Sequence, residues 1–367
     1  MSTEHMHEQK LRALPVQLIE IPDGIVLRRG RSQIKISGLG AAEAVCTLLN
    51  AMSQGSTTRE ALCNSFSAPD RESVDYLIQE LLSRRILVPG DTVELSPVIE
   101  ESSLDVFYWH FGKVAQRCDR LLHNQQIVIV GVNCISRQLA TSLSVSGAVN
   151  VEVVNYPLLS NLRLFDERGA LTGSEWPSAL KPPLEYKEWA GSVDAANIGC
   201  LVATSDFGGL ELMRPWNLFC IQRNCRFLPI VLQDLVGYVG PLVIPRETPC
   251  FECLRARENS NMTEASSRRA PESTAFEGQA VAGFHPSMAS ILGDIAAIEL
   301  HKLYEGWMLP QVIGTSIEVN LLAMHLITHK ILKVPRCSVC STLNIHAMIS
   351  LDKNPVKSWN GMVNTDE

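Results

Sequence analysis

Two short motifs far apart in the chain constrain its fold most. Pro249-Cys250-Phe251-Glu252-Cys253 and Pro335-Arg336-Cys337-Ser338-Val339-Cys340 each carry a CxxC pair, and 84 positions separate Cys253 from Cys337. Each pair makes a tight turn that aims two thiolates at one point. Two such turns supply a closed tetrahedral set, the pattern of structural Zn²⁺. The reading is therefore Cys250, Cys253, Cys337 and Cys340 on one zinc ion, pinning the end of the chain onto whatever precedes it. A closed site has no position for a substrate, so it has no catalytic role. The alternative is two unrelated redox or buried pairs.

The chain has 367 residues, enough for two domains, with 46% hydrophobic and 19% charged residues. That composition supports a real core and excludes disorder over most of the length. The net charge of −7 gives no whole-molecule field toward nucleic acid. The best candidate for a membrane span, Met288 to Leu300, is broken by Asp294 and Glu299, so no membrane partner is expected. The N-terminus is polar and acidic, without a signal-peptide core. Eleven cysteines is an odd number, and Cys46, Cys63, Cys200 and Cys220 sit in apolar segments. They read as reduced thiols of a cytoplasmic protein.

The pattern along the chain predicts a small first domain over 1–90, a helical connector over 91–125, a larger sheet domain over 126–351 and a polar tail over 352–367. In the first, Val16–Ile21 is a strand, and Ile25–Arg28 with Gln33–Ile36 forms a hairpin. Helices start at Ala41, near Thr57-Thr58-Arg59-Glu60, and near Pro69-Asp70. The last places Val74, Leu77, Ile78, Leu81 and Leu82 at helical spacing. A short strand, Ile86–Val88, follows. This is a small winged-helix-like α+β module. The connector reads as one or two helices between Leu104 and Leu122. From 126 on, short apolar strands (Ile127–Val130, Val149–Val154, Cys200–Ala203, Phe227–Leu232) alternate with helices (Ser136–Ser146, Leu210–Arg223). Buried strands separated by helices mean α/β architecture with a doubly wound, mostly parallel sheet. Residues 255–283 read as a long mobile loop carrying Arg255, Arg257, Arg268 and Arg269, poised to close over a site.

The strand at Ile127 runs into Gly131-Val132-Asn133-Cys134-Ile135-Ser136, where a nucleotide fold places its glycine turn and aims backbone N–H groups at phosphates. Asn133, Cys134 and Ser136 stand where glycine is expected. Asn155 ends the second strand in place of a ribose-binding acid. Ser160-Asn161-Leu162-Arg163 follows, and Asp206 closes the strand begun at Cys200, in the crevice where open α/β sheets bind ligands.

With Gly131, Ser160-Asn161-Leu162-Arg163, Asp206, Gly240-Pro241 and both CxxC pairs, residues 100–345 resemble the ThiF, ubiquitin-activating type of adenylating fold, a Rossmann-like architecture. Residues 11–90 resemble the peptide-clamp domain that precedes it in enzymes maturing ribosomal peptides (RiPPs). The resemblance implies a homodimer that uses ATP and Mg²⁺ to activate a carboxyl group on a precursor peptide. In its cyclising branch it implies fusion of two glutamate side chains into a pantocin-type bicyclic core. It implies ATP binding by Gly131, Asn133, Ser136, Asn155, Asn161, Arg163 and Asp206. Asp206 would hold the metal and Arg163 would stabilise phosphate charge, as the two catalytic groups. No cysteine lies between Cys253 and Cys337, where thioester-forming relatives keep theirs, so the activated group would be attacked directly. Cys134 reads as an inert buried thiol.

The hairpin is basic, with Arg28, Arg29, Arg31 and Lys35. DNA binding is disfavoured because the third helix carries Asp70, Glu72, Asp75 and Glu80. The preferred reading is strand addition. A leader peptide would pair along Gln33, Ile34, Lys35 and Ile36 and pack on Tyr76 and Leu77, with Arg29 and Arg31 favouring an acidic leader. A solvated basic surface is the alternative there. For the whole chain two rivals remain open: a leader-binding scaffold that serves a separate YcaO-type cyclodehydratase, and a peptide adenylyltransferase.

Overall fold

The computed structural model describes residues 10–38, 40–53, 57–90, 102–173, 175–192, 197–261, 270–275 and 283–341. The polar tail, Arg268 and Arg269 lie outside them. The chain divides into two compact units, Met1–Cys118 and Asp119–Glu367.

The first unit contains β1 (Lys10–Ala13), β2 (Gln17–Ile21), β3 (Gly24–Arg29), β4 (Ser32–Ser37), α1 (Ala41–Ser53), β5 (Thr57–Thr58), α2 (Arg59–Asn64), α3 (Arg71–Ser83), β6 (Leu87–Pro89) and α4 (Ser103–His110). Strands β2, β3 and β4 form one antiparallel sheet; β5, β1 and β6 form another. Sequence reasoning missed β1, whose register pairs it with both short strands. Four residues with two charges give no strand signature, and β1 exists because its partners do. The cap of α2 is Thr58, which accepts from Ala61 N–H, one residue later than the Thr57–Glu60 spacing suggested. Val74, Ile78 and Leu81 of α3 pack against Ile25, Leu27, Val45 and Leu48. The same core takes in Trp109, whose indole N–H donates to Arg85 O at 2.8 Å. Helix α4 therefore belongs to this unit rather than to a free connector.

Helix α5 (Ala115–His123) carries the chain into the second unit. There follow β7 (Gln126–Val130), α6 (Cys134–Val145), β8 (Val151–Asn155), β9 (Leu184–Glu185), α7 (Tyr186–Ser192), β10 (Ile198–Ser205), α8 (Arg214–Arg223), β11 (Arg226–Gln233), β12 (Val236–Val239), α9 (Phe251–Ser260), α10 (Pro286–Glu305), β13 (Thr315–Asn320) and β14 (His325–Lys330). The eight-stranded sheet runs β14-β13-β12-β11-β10-β7-β8-β9. Pairings from β11 to β9 are parallel, and those from β11 to β14 are antiparallel. The predicted parallel half is present, and an antiparallel half extends it.

Helix α10 holds the segment weighed above as a membrane span. Its charges are internal ligands: Asp294 accepts from Ser142 and Gln138, and Glu299 from Val312 N–H and Lys302. No described helix is long and apolar enough to cross a membrane. A Cβ on Gly293 would meet Leu139 N at 2.9 Å, so glycine there lets α10 approach α6 closely.

Candidate functional site

Three regions of the sequence reading can be placed. At the four-cysteine centre, α9 begins at Cys250 and puts Cys253 in its first turn. Asn217 of α8 accepts the Phe251 N–H at 3.1 Å and holds that helix start. The returning chain brings Cys337 Sγ to 3.6 Å from Cys250 Sγ and Cys340 Sγ to 3.5 Å from Cys253 Sγ. All four sulfurs lie within 4.8 Å of one another. A tetrahedral ion with sulfurs at about 2.3 Å sets sulfur–sulfur edges of about 3.8 Å, so the set fits zinc. Hydrogen bonding within the cluster pushes the Cys250 thiol up and holds Cys253 far down, the proton sharing a cation would replace. Val334 N–H donates to Cys253 Sγ at 3.4 Å, a bond that favours thiolate.

At the carboxyl end of β7 the loop is closed upon itself. Gly131 has φ 99°, and a Cβ there would lie 2.7 Å from the carbonyl oxygens of Leu159 and Thr204. Its N–H donates to Val154 O, and Val132 N–H to Ser160 Oγ. Asn133 is the N-cap of α6, accepting from Ile135 and Ser136 N–H, while its own N–H donates to Ser136 Oγ. Its amide donates to Leu159 O and to both oxygens of Thr204. Cys134 N–H donates to Asp206 Oδ2 at 2.9 Å. Every N–H from Gly131 to Ser136 is thus taken by the chain itself. In this structure Gly131, Asn133 and Ser136, the residues expected to face phosphates, are buried and bonded within the chain. The physical cause is that Asn133 brings a side-chain acceptor to the helix start, where a glycine leaves the amides for a ligand.

Asp206 is 1% exposed. Burial pushes its carboxyl above the ordinary range, against the bonds from Cys134 N–H and the Asn161 amide. Both oxygens therefore already face donors. Asn161 Oδ1 accepts Arg163 N–H. The Arg163 side chain is exposed, and Asn155 donates to Glu185 and accepts from Ser160. These donors and acceptors do not fit a triphosphate with its metal. The Cys134 thiol is pushed up to about 12, mainly by burial and then by Asp206, as an inert thiol requires. Arg255 does not reach over the site either. It is 2% exposed inside α9, paired with Glu211, Glu258 and Glu272, and Arg257 donates to Leu332 O and Lys333 O.

The third region is a groove of about 1000 Å³ in the first unit. Gln33, Ile34, Lys35 and Ile36 form one wall, Tyr76 and Leu77 the opposite one, with Ala44 and Phe66 between. Strand β4 pairs only with β3, so the edge bordering the groove is open among the described residues. Ile34 and Ile36 turn toward the core and Gln33 and Lys35 outward, while Tyr76 is 71% exposed. Six of the eight residues expected to bind peptide therefore converge. Arg29 and Arg31 do not line the groove. Period-two alternation puts Arg29 on the same face of β3 as Ile25 and Leu27. It is buried, donates to Pro15 O at 2.7 Å and covers the Trp109 ring. Arg31 is exposed and its N–H donates to His110. The groove's bases, Lys35 and Arg84, are paired with Asp23 and Glu80, and its other charges are Glu43 and Asp70. This lining is not basic, so it gives no preference for an acidic leader.

The sequence matches none of the family profiles and none of the curated proteins it was compared with. Solved structures do match. E. coli MccB is 15% identical with a TM-score of 0.61, covering 91% of this chain and 97% of that one. A heterocyclase in complex with substrate and cofactor is 17% identical, TM-score 0.56, over 91% of this chain and 40% of its own. The heterocyclase TruD is 19% identical, TM-score 0.57, over 91% and 43%. The likeness is one of fold, and the chain spans about two fifths of the heterocyclases it matches.

Proposed function

We propose that this protein binds the leader of a ribosomal precursor peptide in RiPP maturation and presents the peptide to a separate catalytic partner, such as a YcaO-type cyclodehydratase. The observation that carries this reading is the groove, where the open edge of β4 faces the apolar side chains of α3. A peptide strand would satisfy the edge amides and carbonyls, and alternate side chains would enter between Ile34, Ile36 and Leu77. Holding the leader there raises the local concentration of the attached core peptide at the partner. The four-cysteine centre, taken as structural zinc, keeps the second unit folded.

The test is a fluorescence anisotropy titration of the full chain with a labelled leader from the small reading frame beside its gene. Saturable binding weakened about tenfold or more by Leu77→Asp supports the reading. Equal affinity in a folded Leu77→Asp variant removes it.

A second reading has its own support. The fold covers nearly the whole of E. coli MccB, which has been solved with ATP, and Asp206 and Asn161 remain in contact. Under it, ATP-dependent activation of a glutamate carboxylate, or adenylyl transfer to the peptide, would take place at the carboxyl end of the sheet, in a homodimer. Rearrangement of the 131–136 segment would have to come first.

A further inference from the structure

The charges along the β4 groove specify its occupant further than its apolar walls do. The groove does not end at Ser37. A second hollow of about 690 Å³ shares Ser37, Gly38, Ala41 and Glu43 with it and runs on to Glu20 and Asp23 at the β2–β3 turn. Both hollows lie within the first unit. The two bases that line them are already paired, Lys35 with Asp23 at 2.7 Å and Arg84 with Glu80 at 3.0 Å. Glu20, Glu43 and Asp70 are exposed and have no basic partner among the described residues; Asp70 accepts the Ser67 hydroxyl. These three carboxylates are left uncompensated, and the path is acidic.

The backbone shows where a peptide strand would meet them. Gly38 N–H donates to Asp23 O at 3.1 Å, one step past the Gly24–Ser37 pair of the β3–β4 ladder. Bonded pairs alternate in an antiparallel ladder, so Ile34 and Ile36 bond inward to β3. Gln33, Lys35 and Ser37 therefore turn their N–H and C=O groups to the open edge. A strand bonded to that edge puts every second side chain on the face of Ile34 and Ile36. The next alternate position lies beside Gly38, where the two hollows join at Glu43.

We propose that the groove selects a cationic leader segment. Apolar side chains occupy two alternate positions, beside Ile34 and Ile36, and a Lys or Arg occupies the next, beside Gly38. There the cation meets the field of Glu43 and Glu20, and a further base is drawn to Asp70. The proposal rests on the leader-binding reading above and adds the charge of the ligand. It reverses the acidic leader expected from the basic hairpin.

The test is fluorescence anisotropy on the full chain with two probes. One is the labelled leader from the reading frame beside its gene; the other is the same peptide with each Lys and Arg replaced by Gln. The native leader should bind about fivefold tighter than its neutral form at low salt. The gap should close toward about 0.5 M salt, where the screening length falls to a few ångströms. It should also vanish in the combined Glu20→Gln, Glu43→Gln, Asp70→Asn variant, whose exposed positions leave the fold intact. Equal affinity of the two peptides for the wild type, with Leu77→Asp still weakening both, would overturn the charge preference and leave the leader-binding reading standing. A leader that binds without any Lys or Arg would do the same. A leader that does not bind the wild type would remove both.

Discussion

The start of α6 and the open edge of β4 are opposite solutions to one problem, the unpaired backbone groups that every helix end and sheet edge presents. At α6, Asn133, Ser136, Ser160 and Asp206 take up each N–H from Val132 to Ser136. At β4 the edge is unpaired among the described residues and lies across a groove from Tyr76 and Leu77. A region that spends its polar groups internally gains stability and loses a ligand site. A region that leaves them open keeps a site at some cost in stability. On the proposed reading, binding falls to the small unit and scaffolding to the large one.

The four-cysteine centre provides the largest effect with which to test that division. Cys250→Ser with Cys337→Ser, or prolonged chelation, should destabilise the chain by about 5 kcal/mol or more, since structural zinc contributes folding energy outright. Metal analysis should give stoichiometric zinc in the wild type. A zinc-free chain with an unchanged melting curve would break the scaffold assignment.

Asn133→Ala comes next. It removes the cap of α6 and the donors to Leu159 O and Thr204 O, and should cost about 2–4 kcal/mol in chemical denaturation. A neutral result would mean that the loop amides are free for a ligand after all.

The groove should respond more modestly. Tyr76→Ala, on a largely exposed side chain, should weaken leader binding by about 1–2 kcal/mol in anisotropy and leave stability unchanged. No change in affinity would move the docking surface off α3.

The smallest effect concerns pH. Burial raises the Asp206 carboxyl in the folded state above its unfolded value of 3.8. The folded chain therefore binds more protons, and stability falls as pH rises from the unfolded value through the folded one. Asp206→Asn should thus be more stable than the wild type at neutral pH, and the gap should close below the unfolded value. A loss of stability in Asp206→Asn at neutral pH would show that the charged form is compensated by more than Cys134 and Asn161.

Much of this was legible in the sequence for physical reasons. The CxxC spacing demanded a return of the chain, and the four sulfurs do meet. Long apolar strands such as β10 and β11 showed themselves by composition. Alternation in β4 and helical spacing in α3 identified both walls of the groove. What stayed hidden was decided by neighbours. Arg29 reads as a surface base until β3 alternation puts it beside Trp109. Asn133 reads as a decayed glycine, although its side chain satisfies the helix end that glycine would leave open. The antiparallel strands β12 to β14 are short or exposed, and only their pairing defines them. Arg255 reads as a lid charge because nothing local announces Glu211 and Glu272.

The most direct test of the central claim is a calorimetric titration of the full chain, saturated with leader peptide, with Mg·ATP. The account predicts no saturable heat, because the amides at the start of α6 are already bonded and both Asp206 oxygens face donors. Saturable binding that disappears in Asp206→Ala would contradict it and restore the carboxylate-activating enzyme.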